Sequence, residues 1–199
     1  MPTRLAEALR ETIRVQDGRV PLLERHLARL RGGGCDADVR ARVRAEAERA
    51  ALAWAEPYGR MTLLVAIDGT VSAEVTSAPS MISIAGGPTV ALVPSAEPHL
   101  PPGAAKPADR SFWDAALSLA RVQGAHVAVL VSADERVLDT SQATIWAVRG
   151  TRLLTPPSPP ALAGVSRGFV FDIAPSLGLA AESTELSPHD LDAADELVL

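Results

Sequence analysis

Lysine and arginine together number 19 in this chain, and Lys106 is the only lysine among them. An amine can lose its proton near neutral pH and condense with an aldehyde; a guanidinium does neither. A single lysine among arginines is therefore a candidate for covalent amine chemistry, in which an imine forms and the amine then moves protons. The competing reading is a solvated lysine with no chemical role. Lys106 lies in Ala104-Ala105-Lys106-Pro107-Ala108-Asp109-Arg110-Ser111-Phe112-Trp113. Arg110, four residues on, has the planar fork that suits a substrate carboxylate.

The bulk composition narrows the field. At 199 residues, 47% hydrophobic and 22% charged, the chain suits one domain or two small ones. A net charge of −5 gives no reason to expect nucleic acid as a partner. Arg40, Arg42, Arg44 and Arg49 alternate with Glu46 and Glu48, the pattern of a solvated helix face. Cys35 is the sole cysteine, so no internal disulfide can form, and a reducing compartment is expected. The opening Met1-Pro2-Thr3-Arg4-Leu5-Ala6-Glu7 is charged and lacks an apolar stretch, so no signal peptide is expected. Val127 to Val131 is too short to span a bilayer, and a cytoplasmic protein without membrane association is the expectation. His26, His99, His126 and His189 are scattered, and no metal site is expected. Trp54, Trp113 and Trp146 read as core or interface residues.

These residues need elements to position them. Glu11 to Val15 alternates as a strand, Asp17-Gly18 signals a hairpin, and Arg19 to Leu22 is expected to return. Leu23, Leu27 and Leu30 have helical spacing, closed by Gly32-Gly33-Gly34, which reads as a helix stop, not a phosphate loop. A second helix is expected over 36–55. Strands follow at 61–67, 71–75 and 89–93, so the first half reads as a small antiparallel sheet with two helices. The proline-rich stretch Glu97 to Gly103 marks a boundary. The expected division is an N-terminal α/β domain over 1–96, a linker over 97–105, and a C-terminal domain over 106–199. In the latter, a helix over 111–123 with Ser111 as a possible cap precedes a buried strand at 127–131. Strands at 136–138 and 144–148 flank an irregular 139–143. A short strand at 153–154, a stiff proline loop, a helix from Val165, a strand near 180–184 and a helix from Ser187 complete the chain.

Several of these segments, in this order, resemble the class IV (fold-type IV) pyridoxal-phosphate enzymes. Glu11-Thr12-Ile13-Arg14-Val15, Asp17-Gly18 and Leu22 to Leu30 resemble the family's opening. Lys106 with Asp109-Arg110 and Trp113-Asp114-Ala115-Ala116 resembles its cofactor-lysine segment. Leu153-Leu154-Thr155-Pro156-Pro157 and Gly164-Val165-Ser166-Arg167 resemble its "TPP…GITR" stretch, and Ala193-Ala194-Asp195-Glu196-Leu197 its late "ADE" segment. The subgroup most similar in pattern is the short 4-amino-4-deoxychorismate lyase type. The resemblance implies an α/β (α+β) fold of two small domains with the cofactor cleft between them, and a homodimer.

It also implies roles. Lys106 would hold pyridoxal 5'-phosphate and act as the catalytic base. Arg29 would bind the phosphate, with Val165 and Ser166 at a helix start and Ser141 nearby. The plain readings are an exposed helix arginine for Arg29 and a simple helix cap for Ser166. Asp139 falls where the family carries a glutamate facing the pyridine nitrogen, and Thr144 where it usually carries asparagine. Arg110 would hold a carboxylate of a small-molecule amine substrate. The family pattern has a strand and tight turn before the Glu11 segment and a polar segment beyond Leu199; without them, weaker cofactor binding is expected. Three activities are expected to compete: the lyase forming p-aminobenzoate and pyruvate, a branched-chain or D-amino-acid aminotransferase, and a non-catalytic scaffold or ligand-binding relative. Gly164-Val165-Ser166-Arg167-Gly168 also fits the G-x-S-x-G hydrolase elbow, but that motif needs a strand directly before the serine, where this chain has prolines.

Overall fold

The structure, a computed structural model, describes residues 4–78 and 87–199. Met1-Pro2-Thr3 of the charged opening lies outside the described residues, as do residues 79–86 of the expected N-terminal domain. The chain divides into two units, Met1–Met81 with Leu100–Asp109, and Ile82–His99 with Arg110–Leu199.

The first unit is built on β1 (Leu9–Gln16). Its residues alternate across the sheet: Leu9, Glu11, Ile13 and Val15 are buried, while Arg10, Thr12 and Arg14 lie on the more open face. Asp17 and Gly18 turn the chain with φ of 48° and 70°. The expected return strand does not form. Only a Gln16–Arg19 bridge is present, because Pro21 lacks a ladder donor and Leu23 already opens a helix. That helix, α1 (Leu23–Gly32), buries Leu23, His26, Leu27 and Leu30. The second helix, α2 (Ala37–Leu52), starts at Asp36, whose carboxylate accepts from the Val39 amide at 2.8 Å and satisfies a donor the helix leaves open. The strand that pairs with β1 comes from farther along, β2 (Tyr58–Val65), followed by β3 (Val71–Ser77) in the antiparallel order β1-β2-β3. Met61, Leu63 and Val65 close one core with Leu9, Ile13, Val15 and the helix faces.

Residues Leu100–Asp109 belong to this unit. The Arg10 amide donates to the Lys106 carbonyl at 2.9 Å, and the Ala108 amide donates to the Ala8 carbonyl at 2.8 Å. Residues 97–105 are expected as a linker, with Lys106 in the C-terminal domain; in the structure Leu100–Asp109, Lys106 included, packs with the first unit. Proline marks an extended segment, and this one lies along the edge of β1. Glycines admit the close approach. A Cβ on Gly33 would stand 2.7 Å from Ala105 Cβ and 2.8 Å from Leu9 Cδ1, and Gly103, at φ 66°, would place a Cβ 2.6 Å from Gly32 backbone. Gly33→Ala is therefore expected to cost about 1–3 kcal/mol by overpacking, read as a lower urea midpoint at unchanged m-value.

The second unit contains two sheets. β4 (Val90–Pro94) pairs in parallel with β5 (Val127–Val131), so the expectation that residues 89–93 join the first antiparallel sheet is corrected. A parallel partner requires a crossover, and the connection carries α3 (Ser111–Val122), which packs on both strands. Ser111 is the first helical residue rather than the cap; Arg110 holds the cap position, with no side-chain capping bond. β5 is buried throughout, as an all-apolar strand covered on two faces should be. β6 (Val137–Thr140) runs antiparallel to it, taking Asp139 and Thr140 into a strand where the sequence suggested irregular chain. β7 (Trp146–Arg149), β8 (Arg152–Thr155), β9 (Ala180–Ser183) and β10 (Glu196–Val198) form a sheet in the order β10-β7-β8-β9. α4 (Val165–Ile173) lies between β8 and β9 in the chain. α5 (Pro188–Asp192) opens with a capping box between Ser187 and Asp190. Val129, Val131, Val137, Ile145, Ala147, Leu154, Leu186 and Leu191 pack as one apolar cluster. Among the described residues no helix is long and apolar enough to cross a membrane.

Candidate active site

In the first unit, β1 touches both of the candidate residues there. The Lys106 Nζ donates to Thr12 Oγ1 at 3.0 Å. Thr12 faces the open side of β1, and the main-chain bonds at residues 106 and 108 hold the lysine's backbone beside it. On the opposite face, the next residue back is Glu11, 0% exposed. Its carboxylate accepts from Arg29 Nε at 2.9 Å and also from Arg29 Nη2, and His26 Nδ1 lies 2.6 Å from Oε2. His26 and Arg29 stand three apart on α1, the spacing that puts two side chains on one face. The Arg29 side chain is 7% exposed, so it is not an ordinary solvated helix arginine. Burial opposes the charge on Glu11, but the His26 hydrogen bond and the Arg29 guanidinium outweigh it and hold the carboxyl below its ordinary value.

Glu11, Thr12 and His26 were not singled out from the sequence. For Glu11 the signal was present: it shares the phase of Leu9, Ile13 and Val15, and a buried carboxylate needs a cation nearby. The groove between α1 and α2, lined by Arg31, Arg40 and Arg44 with Glu24, holds none of the candidate residues.

In the second unit, Asp139 on β6 is buried. Its Oδ2 accepts from the Trp113 indole at 3.4 Å and the Leu162 amide at 3.3 Å, and its Oδ1 from the Thr140 amide at 2.8 Å. Trp113, read from sequence as core, is thus also a donor to a candidate site residue. Ser141 is buried, and its hydroxyl accepts from the Ala128 amide at 3.1 Å. Arg110 Nη2 donates to the Ser141 carbonyl at 2.7 Å, with Asp114 3.4 Å from its Nε. The loop that carries Leu162 leads into α4. Gly164 is the N-cap there and no side chain caps the helix, so Ser166 is not the cap. A Cβ on Gly164 would stand 2.5 Å from Thr144 Oγ1, which places Thr144 against the start of α4. Arg167 Nη2 donates to the Pro156 carbonyl at 3.2 Å and to Ser183 Oγ at 2.8 Å, tying the proline loop to β9. Burial pushes the Arg167 guanidinium below its ordinary value. A loop, residues 156–163, separates β8 from Gly164, so the strand that a hydrolase elbow requires is missing.

The candidate residues thus fall into two sets. Lys106 and Arg29 lie on either face of β1; Asp139, Ser141, Arg110 and the Val165–Ser166 helix start gather in the second unit. Residues 8–199 match the family model for amino-transferase class IV. The chain belongs to the class IV aminotransferase family. Its mixed helices and sheets are those of fold-type IV. Solved structures of similar proteins include a hypothetical aminotransferase from Mycobacterium tuberculosis in two forms. Its alpha-ketoglutarate- and PMP-bound form is 26% identical, covering 96% of this chain and 76% of that one at a TM-score of 0.83. Its PLP-bound form is 25% identical with the same coverage and a TM-score of 0.80. A third structure, described as "Putative 4-amino-4-deoxychorismate lyase", is 25% identical, covers 96% of this chain and 79% of its own, and has a TM-score of 0.78. No curated protein matches the chain.

Proposed function

We propose that this class IV aminotransferase family member binds pyridoxal 5'-phosphate through Lys106 and converts 4-amino-4-deoxychorismate to p-aminobenzoate and pyruvate. Residue by residue, the donor types suit the groups of the cofactor. Lys106 offers an amine for its aldehyde, Arg29 a buried guanidinium for its phosphate, and the first amides of α4 at Val165 and Ser166 lack a side-chain cap. Asp139 offers a buried carboxylate for the ring nitrogen. Ser141 contributes through its hydroxyl proton: the oxygen accepts from the Ala128 amide and keeps its O–H to donate, while its own amide donates to the Ala128 carbonyl and its carbonyl accepts from Arg110. The bound cofactor supplies an electron-withdrawing ring next to the substrate amine.

The observation that carries the lyase reading is the Lys106 Nζ to Thr12 Oγ1 hydrogen bond of 3.0 Å. It places a proton-carrying hydroxyl on the catalytic amine. Lys106 removes the proton from the substrate carbon that bears the amine. The carbon–oxygen bond to the enolpyruvyl group breaks, and the ring becomes aromatic. Thr12 and the protonated Lys106 return a proton to the methylene carbon of the departing enolpyruvate, which leaves as pyruvate. Arg110 orients a substrate carboxylate, exchanging part of its bond to the Ser141 carbonyl for the stronger charge-assisted one. The similar protein described as a lyase supports this assignment. A second reading, an aminotransferase, draws support from the similar protein bound to alpha-ketoglutarate and PMP.

One experiment separates them. The protein is loaded with pyridoxal phosphate, reduced with borohydride and digested, and the cofactor mass is expected on the Lys106 peptide. The loaded protein is then offered 4-amino-4-deoxychorismate without a keto acid. Pyruvate release supports the lyase. Glutamate formed only from branched-chain or D-amino acids with alpha-ketoglutarate replaces it with the aminotransferase. No cofactor uptake at millimolar concentration leaves the scaffold reading.

A further inference from the structure

We infer that the groove between α1 and α2 is a second binding site, for a small organic dianion: two carboxylates, or one phosphate ester, carried on an apolar body. None of the groove residues has a part in the reaction proposed above, so such a ligand acts there as an effector and not as substrate or cofactor.

Two matching helix stripes build the groove. On α1 it is lined by Glu24, Leu27, Ala28 and Arg31, and on α2 by Ala37, Arg40, Ala41 and Arg44. Both sets follow the i, i+3, i+4, i+7 spacing of a single helix face. Ala28, Ala37 and Ala41 are short and exposed, so the space stays open to solvent. Its volume is about 350 Å³, at the small end of the range of about 300–1,000 Å³ for ligand sites, which suits a small molecule and not a protein segment. The alanines and Leu27 offer carbon surface to an apolar body. Three guanidinium groups against one carboxylate leave an excess of two positive charges, which a dianion neutralises. Arg31 is exposed and its side chain has no ion-pair partner among the described residues. Arg40 donates from Nε to the Asp36 carbonyl at 3.2 Å, which leaves its terminal nitrogens for a ligand. Arg44 shows what an anion does in the groove: its Nη1 lies 2.6 Å from Glu24 Oε1, and its Nη2 donates to Oε2 at 2.9 Å. That fork-to-fork geometry is the one a ligand carboxylate or phosphate takes. The Glu24 side chain is 75% exposed, and exposed ion pairs are weak, so an incoming anion can displace it.

The test is calorimetric titration of the full-length protein, loaded with pyridoxal phosphate and freed of excess, in about 0.1 M salt, where charges more than about 10 Å apart are screened. Phenyl phosphate and isophthalate are the probes, one for each anion type, and benzoate, with one charge on the same ring, is the reference. At least one probe is expected to bind about tenfold or more tighter than benzoate, as for one further charge-assisted hydrogen bond. The tighter of the two tells a phosphate ester from a dicarboxylate. Arg31→Gln and Arg40→Gln are each expected to weaken that probe about tenfold, and Ala41→Leu, which fills the groove, to abolish its binding. Glu24→Gln removes the competing carboxylate and is expected to tighten binding about threefold, as for one exposed ion pair lost. Glu182, which pairs with Arg152 in the second unit, supplies the control: Glu182→Gln changes the net charge equally and is expected to leave binding within about twofold. No binding of either dianion at millimolar concentration, or binding no tighter than benzoate, would overturn the site. Equal gains from Glu24→Gln and Glu182→Gln mean an adventitious ion only, and binding that ignores all four groove substitutions lies elsewhere on the protein; either result overturns the site as well.

Discussion

Lys106→Arg is expected to lower turnover by at least about 10²–10⁴-fold, the range for removing a positioned acid–base group, with stability within about 0.5 kcal/mol of wild type. The physical case is that this exchange separates charge from amine chemistry. Arginine keeps the positive charge and can still donate to Thr12 Oγ1. The main-chain bonds that seat the segment, Arg10 amide to Lys106 carbonyl and Ala108 amide to Ala8 carbonyl, do not involve the side chain. What is lost is the neutral amine, which a guanidinium cannot supply. Borohydride treatment with pyridoxal phosphate is expected to leave the variant's segment unlabelled. A variant retaining more than a tenth of wild-type turnover, or still labelled there, would remove Lys106 from the reaction.

Glu11→Gln is expected to destabilise the first unit by about 3–5 kcal/mol, because it leaves the Arg29 charge buried without its counter-charge. The replacement is nearly isosteric, so packing against Leu9, Ile13 and Val15 changes little and electrostatics dominates. The double change Glu11→Gln with Arg29→Met is expected to cost much less than the sum of the two single changes, since a neutral, well-packed pair can replace a buried ion pair at little loss. The pH dependence has a definite sign. The folded-state pKa of Glu11 lies below its ordinary value, so the pair's contribution is fully present above the ordinary glutamate value of about 4.3 and fades as pH falls through the folded value. The gap in denaturant midpoint between wild type and Glu11→Gln is therefore expected to be constant at neutral pH and to shrink in acid. A gap that widens on acidification would exclude Glu11 as the charged partner.

Much of the chemistry was legible in the residues. Lys106 stood out because only an amine forms imines, and that argument needs no coordinates. The alternation around β1 marked a half-buried strand, and the helices at Leu23 and Ser187 announced themselves by spacing and by a cap. The position of Glu11 in the buried phase of β1 could have been noticed as well. These are local signals, carried by side-chain type and by periods of two and 3.6 residues.

Other features are not local. Asp17-Gly18 promised a hairpin partner immediately downstream, yet β1 pairs with Tyr58–Val65, because an amphipathic helix began there first and the sheet took the next strand with a complementary apolar face. Residues 90–94 joined β5 in parallel rather than the first sheet, a pairing that turns on which faces α3 can cover. A proline-rich segment that reads as a linker lies along β1, where Gly33 and Gly103 leave room for it. The sequence alone determined the kinds of groups this protein can bring to a reaction: one amine, an arginine at helical spacing, a carboxylate and a helix start at Val165. Tertiary structure alone decided that the arginine answers to Glu11 and His26 and that the amine answers to Thr12. Pairing across tens of residues depends on which apolar surfaces leave water together, and a buried charge takes whatever partner that burial places beside it.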